Sequence, residues 1–160
     1  EQLVSYIYEP AVSPHLAAQL EKRPVDMKKI QSDFHHIATQ FDVVVAEGSG
    51  GIICPLRMDS SPIMLTDVIQ TLHLPILIVA HAGLGTINST VLTAAYAKQH
   101  NITVNGIILN QYDSNNLMHR DNKKQIEHLT GIPVVACVKS NETELSVSAE
   151  LLLHLCNDIS

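Results

Sequence analysis

Leu74-Pro75-Ile76-Leu77-Ile78-Val79-Ala80-His81-Ala82-Gly83-Leu84-Gly85-Thr86-Ile87-Asn88 is the stretch whose reading decides the fold. A short apolar run over 76–80 predicts a buried strand, the glycines of 83 and 85 predict a loop, and the Ala- and Leu-rich residues 87–100 predict a helix. Downstream the same grammar repeats: strands over 104–109 and 133–138, with a helix over 117–129 between them. A closing helix over 143–156 is expected to bury Leu145, Ala149, Leu152 and Leu153 as one face. Upstream, Asp26 is placed to cap a helix whose apolar residues Met27, Ile30, Phe34, Ile37, Ala38 and Phe41 recur at three- and four-residue intervals. A buried strand is expected over 42–47 and a helix over 62–74.

Strands alternating with helices imply an α/β fold, an open and mostly parallel sheet with helices on both faces. Neither a repeat nor a low-complexity linker divides the chain, so residues 1–160 are expected to form a single α/β domain. Its opening is unlike the rest. Glu9-Pro10-Ala11-Val12-Ser13-Pro14-His15 is turn chemistry, a short helix is expected over 16–20, and the first strand comes only at residue 42. That order is expected of the carboxy-terminal two-thirds of a larger domain whose opening βα units come earlier.

Composition excludes several function classes. The 160 residues are 46% hydrophobic and 16% charged, enough for a real core, and the net charge of −6 without a basic run beyond a pair argues against a nucleic-acid partner. No apolar stretch approaches the roughly twenty residues of a membrane span. The first residues have neither the basic flank nor the apolar core of a secretion signal, so a soluble, cytoplasmic protein is expected. Cys54, Cys137 and Cys156 are widely spaced and odd in number, which argues for reduced thiols rather than a disulfide framework. The nine histidines show no His-x-x-x-His pair, and Gly48-Ser49-Gly50 lacks the spacing of a nucleophile elbow.

In an open parallel sheet ligands gather beyond the carboxyl ends of the strands. At the first end Glu47-Gly48-Ser49-Gly50-Gly51 combines a carboxylate, which a metal-bound nucleotide would compensate, with glycines that let backbone approach a ligand; a tight turn with an exposed Glu is the plainer alternative. At the second, the amides from Leu84 through Gly85, Thr86 and Ile87 to Asn88 can receive an anion at a helix amino-terminus, or form an ordinary glycine loop. The third end, Asn110-Gln111, offers amides able to read a base edge, or simply turns the chain. The fourth, Lys139-Ser140-Asn141-Glu142, can border a base pocket, and Asn141 with Glu142 and Glu144 is expected to cap the closing helix.

Tyr8-Glu9-Pro10-Ala11-Val12-Ser13-Pro14-His15, Val45-Ala46-Glu47-Gly48-Ser49-Gly50-Gly51 with Pro55-Leu56, Leu74-Pro75, Gly83-Leu84-Gly85-Thr86-Ile87-Asn88 and Gly131-Ile132-Pro133-Val134 together resemble the dethiobiotin synthetases. The resemblance covers nearly the whole chain in order, and it implies a P-loop NTPase-like fold. It implies the ATP-dependent carboxylation and ring closure of 7,8-diaminononanoate with CO2, in a homodimer with Mg2+. Glu47 would then ligate the magnesium and act at the catalytic centre. Gly48, Ser49 and Gly50 would line the reacting phosphate and carbamate. Leu84, Gly85, Thr86, Ile87 and Asn88 would hold the substrate carboxylate from the partner subunit, joined by Asn122. Asn110 and Gln111 would read adenine, and Lys139, Ser140 and Asn141 would border the nucleotide, although some family members carry proline where Lys139 stands.

The family also uses a Gly-x-x-x-x-Gly-Lys-Thr loop, whereas no lysine of these 160 residues follows a glycine. The 160 residues alone are therefore expected not to catalyse. Two other readings share the sheet: a non-catalytic regulatory or binding module of the same type, and an ATPase domain of the cobyrinate amidase synthetase group.

Overall fold

The computed structural model describes residues 2–145 and 147–156. They fall into two compact units, one ending at His73 and the other starting at Leu74.

In the first unit, helix α1 (Pro14–Leu20) starts with a proline at its first position, where the fixed φ suits a helix and no N–H is needed. Helix α2 (Met27–Ala38) is capped as expected: the Asp26 carboxylate accepts from the Lys28 amide at 2.9 Å. Met27, Ile30, Phe34 and Ile37 form its half-buried face, but the helix stops at Ala38 and leaves Phe41 outside. The segment before α1 is pinned by tyrosines. The Tyr8 hydroxyl donates to the Arg23 carbonyl at 2.8 Å, and the Tyr6 hydroxyl accepts from the Asp26 amide at 2.9 Å.

No strand forms over 42–47, and Val45 is 84% exposed. An apolar run becomes a strand only when a neighbour completes its backbone hydrogen bonds, and among the described residues none runs beside this one. The unit instead contains strand β1 (Pro55–Arg57) paired antiparallel with β2 (Ile63–Met64), followed by helix α3 (Leu65–Thr71). The helix expected from residue 62 therefore begins at 65. The Asp67 carboxylate accepts from the Met64 amide at 2.7 Å and marks its start. Val25, Cys54, Leu56, Ile63 and Val68 are the buried centre of this unit.

The second unit follows the expected alternation: β3 (Ile76–His81), α4 (Thr86–Gln99), β4 (Val104–Asn110), α5 (Leu117–Thr130), β5 (Val134–Val138) and α6 (Ala149–Cys156). The three strands form a parallel sheet in the order β3-β4-β5. Helices α4 and α5 pack on each other, as consecutive crossovers of a sequentially ordered sheet do. Ile78, Ala82, Ala94, Ile107, Leu109, Ile126 and Val134 form the core between sheet and helices. Asn116 caps α5, its side-chain oxygen accepting from the Met118 amide at 2.9 Å.

The last helix departs from its expectation. It starts at Ala149, with the Ser148 hydroxyl accepting from the Leu151 amide at 3.1 Å, and of the 143–156 span Ser146 lies outside the described residues. Leu155 is its buried residue, and Leu145, Leu152 and Leu153 are exposed. The Asn105 side-chain amide donates to the Leu155 carbonyl at 2.8 Å, a polar tie that apolar periodicity does not reveal.

These packings generate three expectations. Ile126→Ala, at a side chain with no exposure, should cost about 2–5 kcal/mol of unfolding free energy in urea titrations. Leu129→Ala on the exposed side of the same helix should stay within about 0.5 kcal/mol. Burial pushes the Cys54 thiol above its ordinary value, so Cys54 should resist alkylation at neutral pH until the protein is unfolded. Mass spectrometry of iodoacetamide-treated native and denatured samples reads this directly.

Candidate functional site

Parallel strands share one carboxyl edge, and the register makes that edge level: His81 stands opposite Asn110, and Asn110 opposite Val138. The segments 81–88, 110–111 and 139–141 therefore leave the sheet side by side, as the sequence reading expects.

After β3 the backbone passes through Gly83 and Gly85 into α4. The Ser89 amide makes the first helical hydrogen bond to the Gly85 carbonyl at 3.2 Å, which directs the Ile87 and Asn88 amides out of the helix end. Thr86 is buried and its hydroxyl meets that of Thr90 at 3.4 Å, whereas Leu84 at the loop tip is 94% exposed. Asn122, only 7% exposed, projects from α5 beneath this loop. Its side-chain amide donates to the carbonyls of Ala82 at 2.9 Å and Gly83 at 3.1 Å within the same chain.

After β4 the Asn110 side-chain oxygen accepts from the Gln111 amide at 2.8 Å, and Gln111 adopts a φ of 55°, in the left-handed region. The Gln111 side-chain oxygen meets His81 Nε2 at 2.7 Å. His81 Nδ1 accepts from the Gly83 amide at 2.9 Å, so the ring proton sits on Nε2 and is donated to Gln111. The sequence reading gave His81 no role: a histidine at the end of a strand carries no periodic signal, and its two partners lie in different loops.

After β5, residues 139–142 form a tight turn. The Glu142 carboxylate accepts from the Lys139 amide at 2.7 Å, and Asn141 has a φ of 66°. Asn141, Glu142 and Glu144 do not cap the closing helix, because it begins at Ala149. Glu142 folds back on Lys139 instead.

In the other unit Glu47, Gly48, Ser49 and Gly50 lie on an exposed stretch without regular structure, and Gly50 and Gly51 have φ values of 72° and 84°. Those angles are where glycine is needed. Ser49 lines a cavity of about 280 Å³ together with Tyr6, Tyr8, Pro10 and Pro14. Tyr8 enters the sequence analysis only within the stretch that carries the resemblance, and neither tyrosine is given a site role there. Among the described residues no three His, Cys, Asp or Glu side chains gather as a metal cluster. A magnesium ion does not require such a cluster, since it retains waters and takes one or two carboxylates plus substrate phosphates. The exposed carboxylate of Glu47, beside glycines on a stretch without regular structure, can supply one such oxygen ligand.

The family model described as an AAA domain, of the P-loop NTPase type, matches residues 1–146. The chain is similar to proteins named ATP-dependent dethiobiotin synthetase BioD. With one from Clostridium botulinum (strain Alaska E43 / Type E3) it is 53% identical over 134 residues, 84% of this chain and 59% of the relative. With one from Brachyspira hyodysenteriae it is 50% identical over 139 residues, 86% of this chain and 63% of the relative. With one from Clostridium botulinum (strain 657 / Type Ba4) it is 47% identical over 156 residues, 98% of this chain and 68% of the relative. The chain thus spans about six-tenths of the length of the first two relatives. A family match over most of the chain, with identity near one residue in two across both units, has one reading: the chain belongs to the dethiobiotin synthetase BioD family.

Proposed function

We propose that the protein forms dethiobiotin from 7,8-diaminononanoate, CO2 and ATP, and that it does so as a cytoplasmic homodimer with Mg2+. The observation that carries this reading is the level edge of the second unit. There, residues expected to hold a carboxylate and residues expected to read a base leave adjacent strands with His81 between them.

In the reaction one substrate amine attacks CO2 and loses a proton to give a carbamate. A carbamate oxygen takes the terminal phosphoryl group of ATP and releases ADP. The second amine then attacks the carbonyl carbon and loses a proton, the carbon–oxygen bond to phosphate breaks with release of inorganic phosphate, and the ureido ring closes. The outward amides of Ile87 and Asn88 suit the substrate carboxylate, because helix ends favour negative charge. Asn122 supports them from below by holding the two preceding carbonyls. Asn110 and Gln111 would face the adenine, and Lys139, Ser140 and Asn141 would border it. Gly48, Ser49 and Gly50 would line the reacting groups, their backbone close because no side chains at 48 and 50 intervene. Magnesium, held by Glu47, would offset phosphate charge as the phosphoryl group moves.

The homodimer reading is supported by surface. Leu84 is exposed at the loop tip, and Leu92 is exposed on α4 at a spacing that continues the stripe of Asn88. Free thiols at Cys54, Cys137 and Cys156 agree with a reducing compartment, and no helix of the described residues is long and apolar enough to cross a membrane.

Two measurements on the full-length gene product test the proposal. Glu47→Gln keeps shape and removes charge, so it should lower ATP-dependent dethiobiotin formation by about a hundredfold with the circular dichroism spectrum unchanged. Turnover at the parent rate with the same magnesium requirement would make Glu47 an ordinary turn residue. Light scattering should give a dimer for the parent, and Leu84→Asp should shift it toward monomer and raise KM for diaminononanoate. A parent that is monomeric at assay concentration removes the cross-subunit role of residues 84–88.

A further inference from the structure

We propose that His81 is a positioning residue that ties the carboxylate-binding loop to the base-reading segment. Through Nδ1 it fixes the Gly83 amide, and through Nε2 it fixes the side chain of Gln111. The inference rests on the ligand assignments of the proposed function and adds a link between them.

The geometry requires the residues found. A Cβ at position 83 would stand 2.7 Å from His81 Cε1 and 2.8 Å from Nδ1, so only glycine lets the backbone N–H reach the ring. Gly83 is then held from both sides, its N–H by His81 and its carbonyl by Asn122. That grip lies just ahead of the amides at 87 and 88 and sets where they point. On the other side, Gln111 is a non-glycine residue in the left-handed region, a conformation that persists only where neighbours hold it. The Asn110 side chain holds its backbone amide and His81 its side-chain oxygen. With that oxygen engaged, the side-chain nitrogen is what Gln111 presents to a ligand, a donor suited to a ring-nitrogen acceptor on a base. One imidazole in its Nε2–H tautomer therefore sets both the direction of the anion-binding amides and the donor face of the base reader.

The two arms are separable by substitution in the full-length gene product. His81→Asn keeps an oxygen acceptor near the Nδ1 position but is too short to reach Gln111. His81→Gln keeps a nitrogen donor near the Nε2 position without an acceptor for Gly83, and His81→Leu removes both. With kcat little changed, His81→Leu should raise KM for ATP and for diaminononanoate by roughly threefold to tenfold each. His81→Asn should raise KM for ATP alone and His81→Gln that for diaminononanoate alone. Equal shifts in the two single-arm variants, or none in any variant, overturn the proposal. A parent without ring-closing turnover counts against the proposed function only, and the link is then read from hydrogen exchange at the Gly83 amide. Protection kept in His81→Asn and lost in the Gln and Leu variants supports it, and uniform protection in all four proteins overturns it.

Discussion

The hydrogen-bonded register of β3 on β4 is the constraint from which the candidate site descends. Ile78 pairs with Ile107 and His81 with Asn110, and this register is fixed by apolar side chains that cannot slip without leaving the core. A shift by one residue would turn Ile107 and Leu109 out of the core and would carry Asn110 away from His81. The same pairing thus places a hydrophobic contact at the middle of the strand and a polar one at its end. The geometry of the edge inherits its precision from packing beneath it.

Legibility in the sequence followed how local the determining interaction is. The strands over 76–81, 104–110 and 134–138 were visible because each is an apolar run whose partners lie within the same sheet. Residues 42–47 are just as apolar, yet they form no strand, because a run encodes the desire for burial and not the neighbour that satisfies its backbone. The β1–β2 pair escaped for the opposite reason: two- and three-residue strands are too short to show a period. At the closing helix, periodicity chose Leu145, Ala149, Leu152 and Leu153, while burial chose Leu155, next to the carbonyl that Asn105 binds.

Of the four expected strand ends, three are legible by position, and the one at Glu47 is not, because no strand forms over 42–47; the partnerships at those ends are not legible. That 84–88, 110–111 and 139–141 meet at one edge follows from parallel topology alone. That His81 joins two of them does not, since its hydrogen bonds cross from residue 81 to 83 and to 111 and leave no compositional trace. The helix-cap expectation for Asn141, Glu142 and Glu144 fails because Asn followed by Glu fits both a helix cap and a turn, and only the helix start at Ala149 separates the two.

Magnitudes divide the second unit into what holds it and what aims it. Ile107, Leu109 and Ile126 are fully buried, and each contributes about 1.5–3 kcal/mol by leaving water. The bonds of His81 and Asn122 are worth about 0.5–1.5 kcal/mol apiece, and the one from His81 to Gln111 is exposed, where water competes. Loss of the buried Asn122 amide would leave two carbonyls without that donor, whereas none of the apolar contacts of the core runs through the His81 bonds. The loop at 83–85 has no such reserve, because its exposed tip contributes nothing to the core and its placement depends on those few polar contacts. Stability and loop placement therefore rest on different residues, which lets the loops at the sheet edge change their polar anchors while the sheet below them stays as it is.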